Sequence, residues 1–308
     1  MVEELKKEEL KENLSCIICD NKKFKNLGKI KNLNINKNLN NFFNLIQCSG
    51  CNHCNLSLIP SQKYLDQLYR DGSNFVFGYS DDEILTKKKF EEKKLESVEP
   101  NYMHWIYKYL ENHKPGKYFE VGPGNCILFK TFKSKNWSCE AYELQSWVVA
   151  EGIFNDFDKI PISNKDIMVL HDVLEHVSNP VTFLKRFSKF QKNSDLLFLA
   201  FPNVSSFRFK IFKTKWRMIE PLAHINFFSK KSTKKLLEKC GYEPVIIKPV
   251  SFVIFRKLLK SILRLPITIL FDLLKLDFKL AAGRIPEIII NILDLISGDE
   301  MHVVAKKK

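Results

Sequence analysis

Two Cys-x-x-Cys pairs, Cys16-Ile17-Ile18-Cys19 and Cys48-Ser49-Gly50-Cys51, are separated by 28 residues. Four thiolates suit tetrahedral zinc, and each pair can supply two ligands from one tight turn. Such a crosslink would hold together a segment too small and too Asn-rich to build its own core. His53 and Cys54 follow immediately, so Cys51-Asn52-His53-Cys54 offers a competing ligand choice. The expected ligands are Cys16, Cys19, Cys48 and Cys51, because that choice places Cys48 just after the strand-like run Phe42–Ile46. The site would be structural, with all four positions filled. The plainer alternative is a set of free buried cysteines.

A second group is Asp172, Glu175 and His176, at i, i+3 and i+4. On a helical turn the three share one face. With an unperturbed pKa of about 6.5, His176 is the best candidate for moving a proton. His224 is another: it could reach a substrate, or lock the loop before Ser229.

The third group is a glycine turn. Tyr118–Val121 reads as a short buried strand, Gly122-Pro123-Gly124 follows, and Cys126–Lys133 can form a helix. Glycines let a backbone approach a ligand closely, although many tight turns carry two. About twenty residues on, a second strand, Ser138–Tyr142, ends in Glu143, where a carboxylate can accept both ribose hydroxyls of a nucleoside. Asp156 could accept a hydrogen bond from an adenine amino group. Glu120 and His171, on the strands leading to the glycine turn and to Asp172, complete the expected cofactor-binding set Glu120, Gly122, Gly124, Glu143, Asp156 and His171.

Taken in order, Glu120-x-Gly122-x-Gly124, Glu143, Asp156 and Leu174-Glu175-His176-Val177-Ser178-Asn179-Pro180 resemble the class I S-adenosylmethionine-dependent methyltransferases. They are most similar to the branch containing ubiquinone-type O-methyltransferases and sugar methyltransferases. Ala223–Ser229, Leu236–Tyr242 and Gly298–Ala305 match that branch too, the last resembling its final antiparallel strand. The resemblance covers roughly residues 100–248 and 298–306. It implies S-adenosylmethionine as cofactor, catalysis by His176, Glu175 or His224, and a divalent-metal site at Asp172, Glu175 and His176. One departure is Cys126, where the family usually has a third glycine. A dinucleotide fold is the rival, but its G-x-G-x-x-G pattern fails at Ile127.

The Cys pairs, with Leu56–Pro60 and Tyr64–Tyr69 after them, resemble the zinc ribbon and linker of sugar C-methyltransferases. That implies methyl transfer to a small molecule, a nucleotide-linked or glycan sugar of surface polysaccharide biosynthesis. A zinc ribbon before a methyltransferase domain also resembles certain ribosomal RNA methyltransferases. No Arg-rich or aromatic-interleaved patch of the kind that stacks bases accompanies it.

Positioning these groups requires an α/β architecture. Strands alternating with helices over residues 117–248 imply a parallel sheet with right-handed crossovers. The expected fold is a Rossmann-like seven-stranded methyltransferase sheet, with an N-terminal zinc-ribbon domain and a helical insertion before the last strand. The domains would be 1–60 (zinc ribbon), 61–112 (helical linker), 113–248 plus 298–308 (cofactor binding) and 249–297 (a basic, apolar helical insertion). That insertion could cap the substrate site, make a dimer contact, or lie on a membrane interface. The chain has 308 residues, 45% hydrophobic, and a formal net charge of +14. The charge permits nucleic-acid or membrane-surface partners, but the lysines are scattered. No apolar run approaches the roughly 18 residues of a membrane span, and no secretory h-region follows the charged first residues. The location expected is cytoplasmic, with contact to the inner membrane at most peripheral.

Overall fold

The computed structural model describes residues 9–30, 43–71, 104–124, 126–145, 148, 150–220, 222–251, 289, 291–293 and 295–308. Its main body is a seven-stranded sheet in the order β12-β13-β10-β9-β6-β7-β8. The strands are β6 (Lys117–Val121), β7 (Ser138–Tyr142), β8 (Ile153–Phe154), β9 (Ile167–His171), β10 (Leu196–Pro202), β12 (Tyr242–Val250) and β13 (Glu300–Lys307). Strands β6 to β10 pair in parallel, whereas β13 runs antiparallel to both β10 and β12. The expected antiparallel last strand is therefore in place, and β12 continues two residues past the expected boundary at 248.

Strand alternation divides the side chains between two faces. Tyr118, Val169, Phe198 and Val304 pack on one side with α2 (His104–Leu110) and α3 (Ile127–Lys133). Phe119, Val121, Met168, Leu170, Leu199 and Val303 pack on the other with α4 (Pro180–Ser188) and α6 (Lys230–Lys239). A parallel sheet covered on both faces explains why β9 is buried at every position.

Local signals set the helix ends. Asn179 caps α4 by accepting the Thr182 N–H, with Pro180 in the first turn. Ser229 and Ser232 form a reciprocal capping box on α6, and Gly241 follows that helix at φ +77°.

The N-terminal part forms an antiparallel sheet, β11-β4-β3-β2, from β2 (Phe24–Lys29), β3 (Asn44–Cys48), β4 (Cys54–Leu56) and β11 (Asn226–Phe227). A smaller pair joins β1 (Leu10–Glu12) to β5 (Leu58–Pro60). Strand β11 is drawn from the connection between β10 and α6, so the last strand of the small sheet is donated by the large body. The core is shared in the same way. Phe43, Leu45, Leu56, Leu65 and Leu68 pack with Trp216, Leu222, Ile225 and Phe227. Each fully buried apolar side chain contributes roughly 1.5–3 kcal/mol, so the Asn-rich segment gains from its neighbour the core it cannot build alone.

The expected helical linker contains α1 (Gln62–Asp71) and α2; residues 72–103 lie outside the described residues. The basic, apolar block 249–297 also lies mostly outside them, with residues 291–293 and 295–297 helical. Among the described residues no helix is long and apolar enough to cross a membrane. Between β10 and α6 lies α5 (Phe207–Phe212).

Candidate functional site

In strand order, β6 leads to β7 and β8 on one side and to β9 and β10 on the other. The carboxyl ends of β6 and β9 therefore flank a topological switch point, the place where open α/β sheets bind ligands. After β6 the chain passes through Gly122 (φ +69°) and Gly124 (φ +51°), conformations glycine adopts without steric cost. A Cβ built on Gly124 would meet no heavy atom within 4 Å, whereas one on Gly122 would lie 3.0 Å from Val173. Open space thus lies over the second glycine, as a turn that accommodates a ligand requires.

Cys126 is also left-handed, at φ +59°, although it is not a glycine. That conformation costs roughly 1–2 kcal/mol. Its thiol is buried among Phe129, Ala141 and Val148. The departure from three glycines therefore preserves the backbone path, and the added side chain is absorbed by the core.

Glu143 follows β7 and is buried. Its Oε2 accepts the Gly124 N–H at 3.1 Å and its Oε1 accepts the Gln145 N–H at 3.0 Å. Burial pushes its carboxyl above the usual range despite these bonds. Asn155 Nδ2 donates to the carbonyls of Glu143 and Gln145, both at 2.9 Å, and fixes the loop. Glu120 is 2% exposed and accepts the Tyr118 hydroxyl at 3.0 Å. Burial pushes its carboxyl up to about 8. Asp156 lies beyond the end of β8, where it caps a short 3-10 turn by accepting the Asp158 N–H. The glycine turn, Glu143 and Asp156 thus gather beyond the carboxyl ends of β6, β7 and β8.

Asp172, Glu175 and His176 do not lie on a helix. Residues 172–178 form turns and bends, and α4 begins only at Pro180. Proline disfavours helical backbone in the residue before it. The Glu175 carbonyl, which a helix would bond to its own chain, instead accepts the Ile225 and Asn226 N–H groups at 2.8 and 3.1 Å. The expectation of one helical face is corrected to a cluster of Glu175, His176 and His224, whose ligand atoms lie within 4.8 Å of one another. The two imidazole centroids are 4.8 Å apart.

Tyr69, on α1, joins this cluster; the sequence marked it only as part of the helical Tyr64–Tyr69 run, not as a site residue. Its hydroxyl lies 2.7 Å from His176 Nδ1 and donates to the Ala223 carbonyl at 3.4 Å. Since a carbonyl only accepts, the 2.7 Å approach of His176 Nδ1 to Ala223 O requires the proton on Nδ1. The 2.8 Å approach of His224 Nδ1 to Met218 O requires the same tautomer there. In each ring Nε2 is then the nitrogen that does not carry this proton. Burial, aided by the neighbouring His224, pushes the His176 imidazole down to about 3, so it is neutral at physiological pH. Burial and then the charge of Asp172 raise the Glu175 carboxyl well above the usual range. Burial also opposes ionisation of Asp172, but the hydrogen bond and charge of His171 outweigh it and hold its carboxyl low. The two neighbouring carboxyls are therefore shifted in opposite directions. His171 itself ends β9, buried, with Nδ1 3.3 Å from Asp172 Oδ2.

The four sulfurs of Cys16, Cys19, Cys48 and Cys51 come together within 4.8 Å. Cys16–Cys51 is 3.6 Å and Cys19–Cys48 3.5 Å. These separations are far longer than a disulfide and close to the sulfur–sulfur edge of roughly 3.8 Å that zinc–sulfur bonds of about 2.3 Å produce. The two knuckles are built alike. Asp20 N donates to Cys16 O at 2.8 Å and Asn52 N to Cys48 O at 2.9 Å, with both residues at φ +60°. The alternative ligands lie elsewhere: His53 Nε2 is 3.3 Å from Asn226 Oδ1, and the Cys54 thiol donates to the Asn52 carbonyl. Asn226 Nδ2 in turn donates to the Val177 carbonyl at 2.6 Å, which ties the cysteine module to the turn carrying His176.

Residues 95–246 match the family model described as Methyltransferase domain. No curated protein matches the chain. Similar crystal structures include a SAM dependent methyltransferase from Archaeoglobus fulgidus, at 14% identity and TM-score 0.44, covering 67% of this chain and 91% of that one. Another is an S-adenosylmethionine dependent methyltransferase from Mesorhizobium loti, at 10% identity and TM-score 0.45, covering 68% and 100%. A third is the 1,6-didemethyltoxoflavin-N1-methyltransferase of Burkholderia thailandensis, at 11% identity and TM-score 0.45, covering 77% and 86%.

Proposed function

We propose that this chain, whose residues 95–246 match a methyltransferase domain, uses S-adenosylmethionine to methylate a small, hydroxyl-rich molecule, a nucleotide-linked or glycan sugar. The observation that carries this reading is the juxtaposition at the switch point. The Gly124–Glu143 contact lies at the ends of β6 and β7, and the Tyr69, Glu175, His176 and His224 cluster follows the end of β9. The cofactor supplies an electrophilic methyl group on a sulfonium. The remaining task of the protein is to align a nucleophile and, for a hydroxyl or carbon acid, to remove a proton.

His176 or His224 serves as the base through Nε2, each ring oriented by a backbone carbonyl on Nδ1. Glu175 lies in the same cluster, and Tyr69 holds His176 in place. Hydroxyl and imidazole groups of this kind suit an acceptor rich in hydroxyls. In this reading Cys16, Cys19, Cys48 and Cys51 hold a structural zinc. That zinc fixes the module whose His53–Asn226 contact supports the His176 turn.

The test is turnover with a panel of nucleotide sugars, glycans and ribosomal RNA fragments, using labelled methyl donor. Methylation of a sugar is expected. Methylation of RNA alone would replace this reading.

A further inference from the structure

A second set of metal-ligating side chains lies next to Asp172, where the last strand crosses the sheet. Ala200 on β10 is in register with His171 on β9 and with His302 on β13. All three therefore point to the same face, and the small alanine leaves room for the two imidazoles to converge over it. Glu300, two residues before His302, shares that face. Their exposures are 4% for His171, 1% for Glu300 and 3% for His302. Glu300 Oε1 is 3.1 Å from His302 Nε2 and 3.7 Å from His171 Nε2, and the three ligand atoms lie within 4.8 Å of one another.

Metal–nitrogen and metal–oxygen bonds of about 2.0–2.1 Å in a tetrahedron separate neighbouring ligands by roughly 3.3–3.4 Å. The two observed edges fall on either side of that value. The surroundings match a metal site as well. Asp172 Oδ2 is 3.3 Å from His171 Nδ1, the carboxylate–histidine arrangement that fixes the tautomer of a metal-bound imidazole. Trp105 stacks on His302, with centroids 4.2 Å apart, and fixes the second ring.

Among the described residues Glu300 Oε2 and His302 Nδ1 have no hydrogen-bond partner. Two buried polar atoms of this kind are what a bound cation would satisfy.

We propose that His171, Glu300 and His302 bind a divalent transition-metal ion of the zinc class, with Asp172 orienting His171. Three protein ligands leave a fourth position for water or an exogenous ligand. The site is separate from the four-cysteine cluster and from the Glu175, His176 and His224 group. It would pin β13 to β9 across β10 and fix the carboxylate of Asp172, which faces Glu175.

Full-length protein stripped of metal and titrated with Co2+ tests this. Thiolate ligands give a sulfur-to-cobalt charge-transfer band, whereas imidazole and carboxylate ligands give only weak visible bands. His302→Phe, which keeps a ring against Trp105, and Glu300→Gln are each expected to bind one equivalent less than the parent, with the charge-transfer band unchanged. Equal stoichiometry in the parent and both variants would overturn the proposal. Should these variants fail to fold, zinc-edge X-ray absorption of His224→Ala decides, because the Glu175 cluster has then lost a ligand. Nitrogen and oxygen neighbours near about 2.0 Å alongside sulfur support the site; a sulfur-only shell overturns it.

Discussion

The hydroxyl of Tyr69 lies 2.7 Å from Nδ1 of His176, across 107 residues of chain. Helix α1 thereby reaches over the carboxyl end of β9 and holds the imidazole that the turn after β9 presents. Tyr69→Phe removes this hydroxyl with little change in volume. Turnover is expected to fall roughly 10-fold, with the affinity for the methyl donor unchanged. His176→Ala and His224→Ala distinguish base from support, since loss of a general base costs roughly 10²–10⁴ in rate. Near-normal turnover in both histidine variants would eliminate the proposed base.

Glu143 joins the end of β7 to the glycine turn after β6. Glu143→Ala leaves the Gly124 and Gln145 N–H groups without their acceptor. Losing charged hydrogen-bond partners of this kind costs roughly 1–3 kcal/mol. Titration calorimetry with S-adenosylhomocysteine should show affinity lowered by tenfold or more. Unchanged affinity would remove Glu143 from the cofactor site.

Glu120 predicts a specific pH dependence. Burial holds its carboxyl up to about 8 in the folded chain, whereas an unfolded glutamate ionises near about 4.3. Between these values the unfolded state releases a proton that the folded state keeps. Stability therefore falls as pH rises through that window, and the contribution is constant outside it. Glu120→Gln removes the titration and leaves an acceptor for the Tyr118 hydroxyl. Relative to the parent it should gain on the order of 1–3 kcal/mol between pH 5 and pH 8. Urea denaturation at the two pH values measures this, and an equal difference at both would contradict it.

Removal of metal from the cysteine cluster should loosen more than the first sixty residues. The module shares a core with residues 204–227, and the Ser229 hydroxyl donates to the Cys51 carbonyl at 2.7 Å. Zinc present at 100 to 1,000 times its Kd stabilises a fold by about 3–4 kcal/mol. A strong chelator, or Cys48→Ala, should lower Tm and raise hydrogen exchange in β11 and at the His176 turn. A Tm indifferent to chelator would argue for free cysteines.

The sequence by itself determined what depends on near neighbours. Short strand-like runs, continuously apolar in β9 and β10, placed β6, β7, β9 and β10. Asn179-Pro180 and Ser229 marked helix starts, and Gly241 a helix end, because capping is settled within one turn. The glycine turn was legible for the same reason, since positive φ at Gly122 and Gly124 is a local demand. Cys126 shows the limit: the sequence marked a departure from a third glycine, and only the structure shows its left-handed backbone, with the side chain buried beside Phe129 and Ala141.

Tertiary structure decided everything that depends on pairs distant along the chain. The i, i+3, i+4 spacing of Asp172, Glu175 and His176 suggested one helical face, but Ile225 and Asn226 bind the Glu175 carbonyl and hold the segment as a turn. His224 then takes the place that Asp172 was expected to fill beside Glu175 and His176. Strand β11 leaves its own body to complete the cysteine module. Glu300 and His302 meet His171 only because β13 runs antiparallel beside β10, a register that no local pattern contains. Periodicity reports which face of its own element a residue occupies; which side chains meet there depends on how separate elements pack against one another.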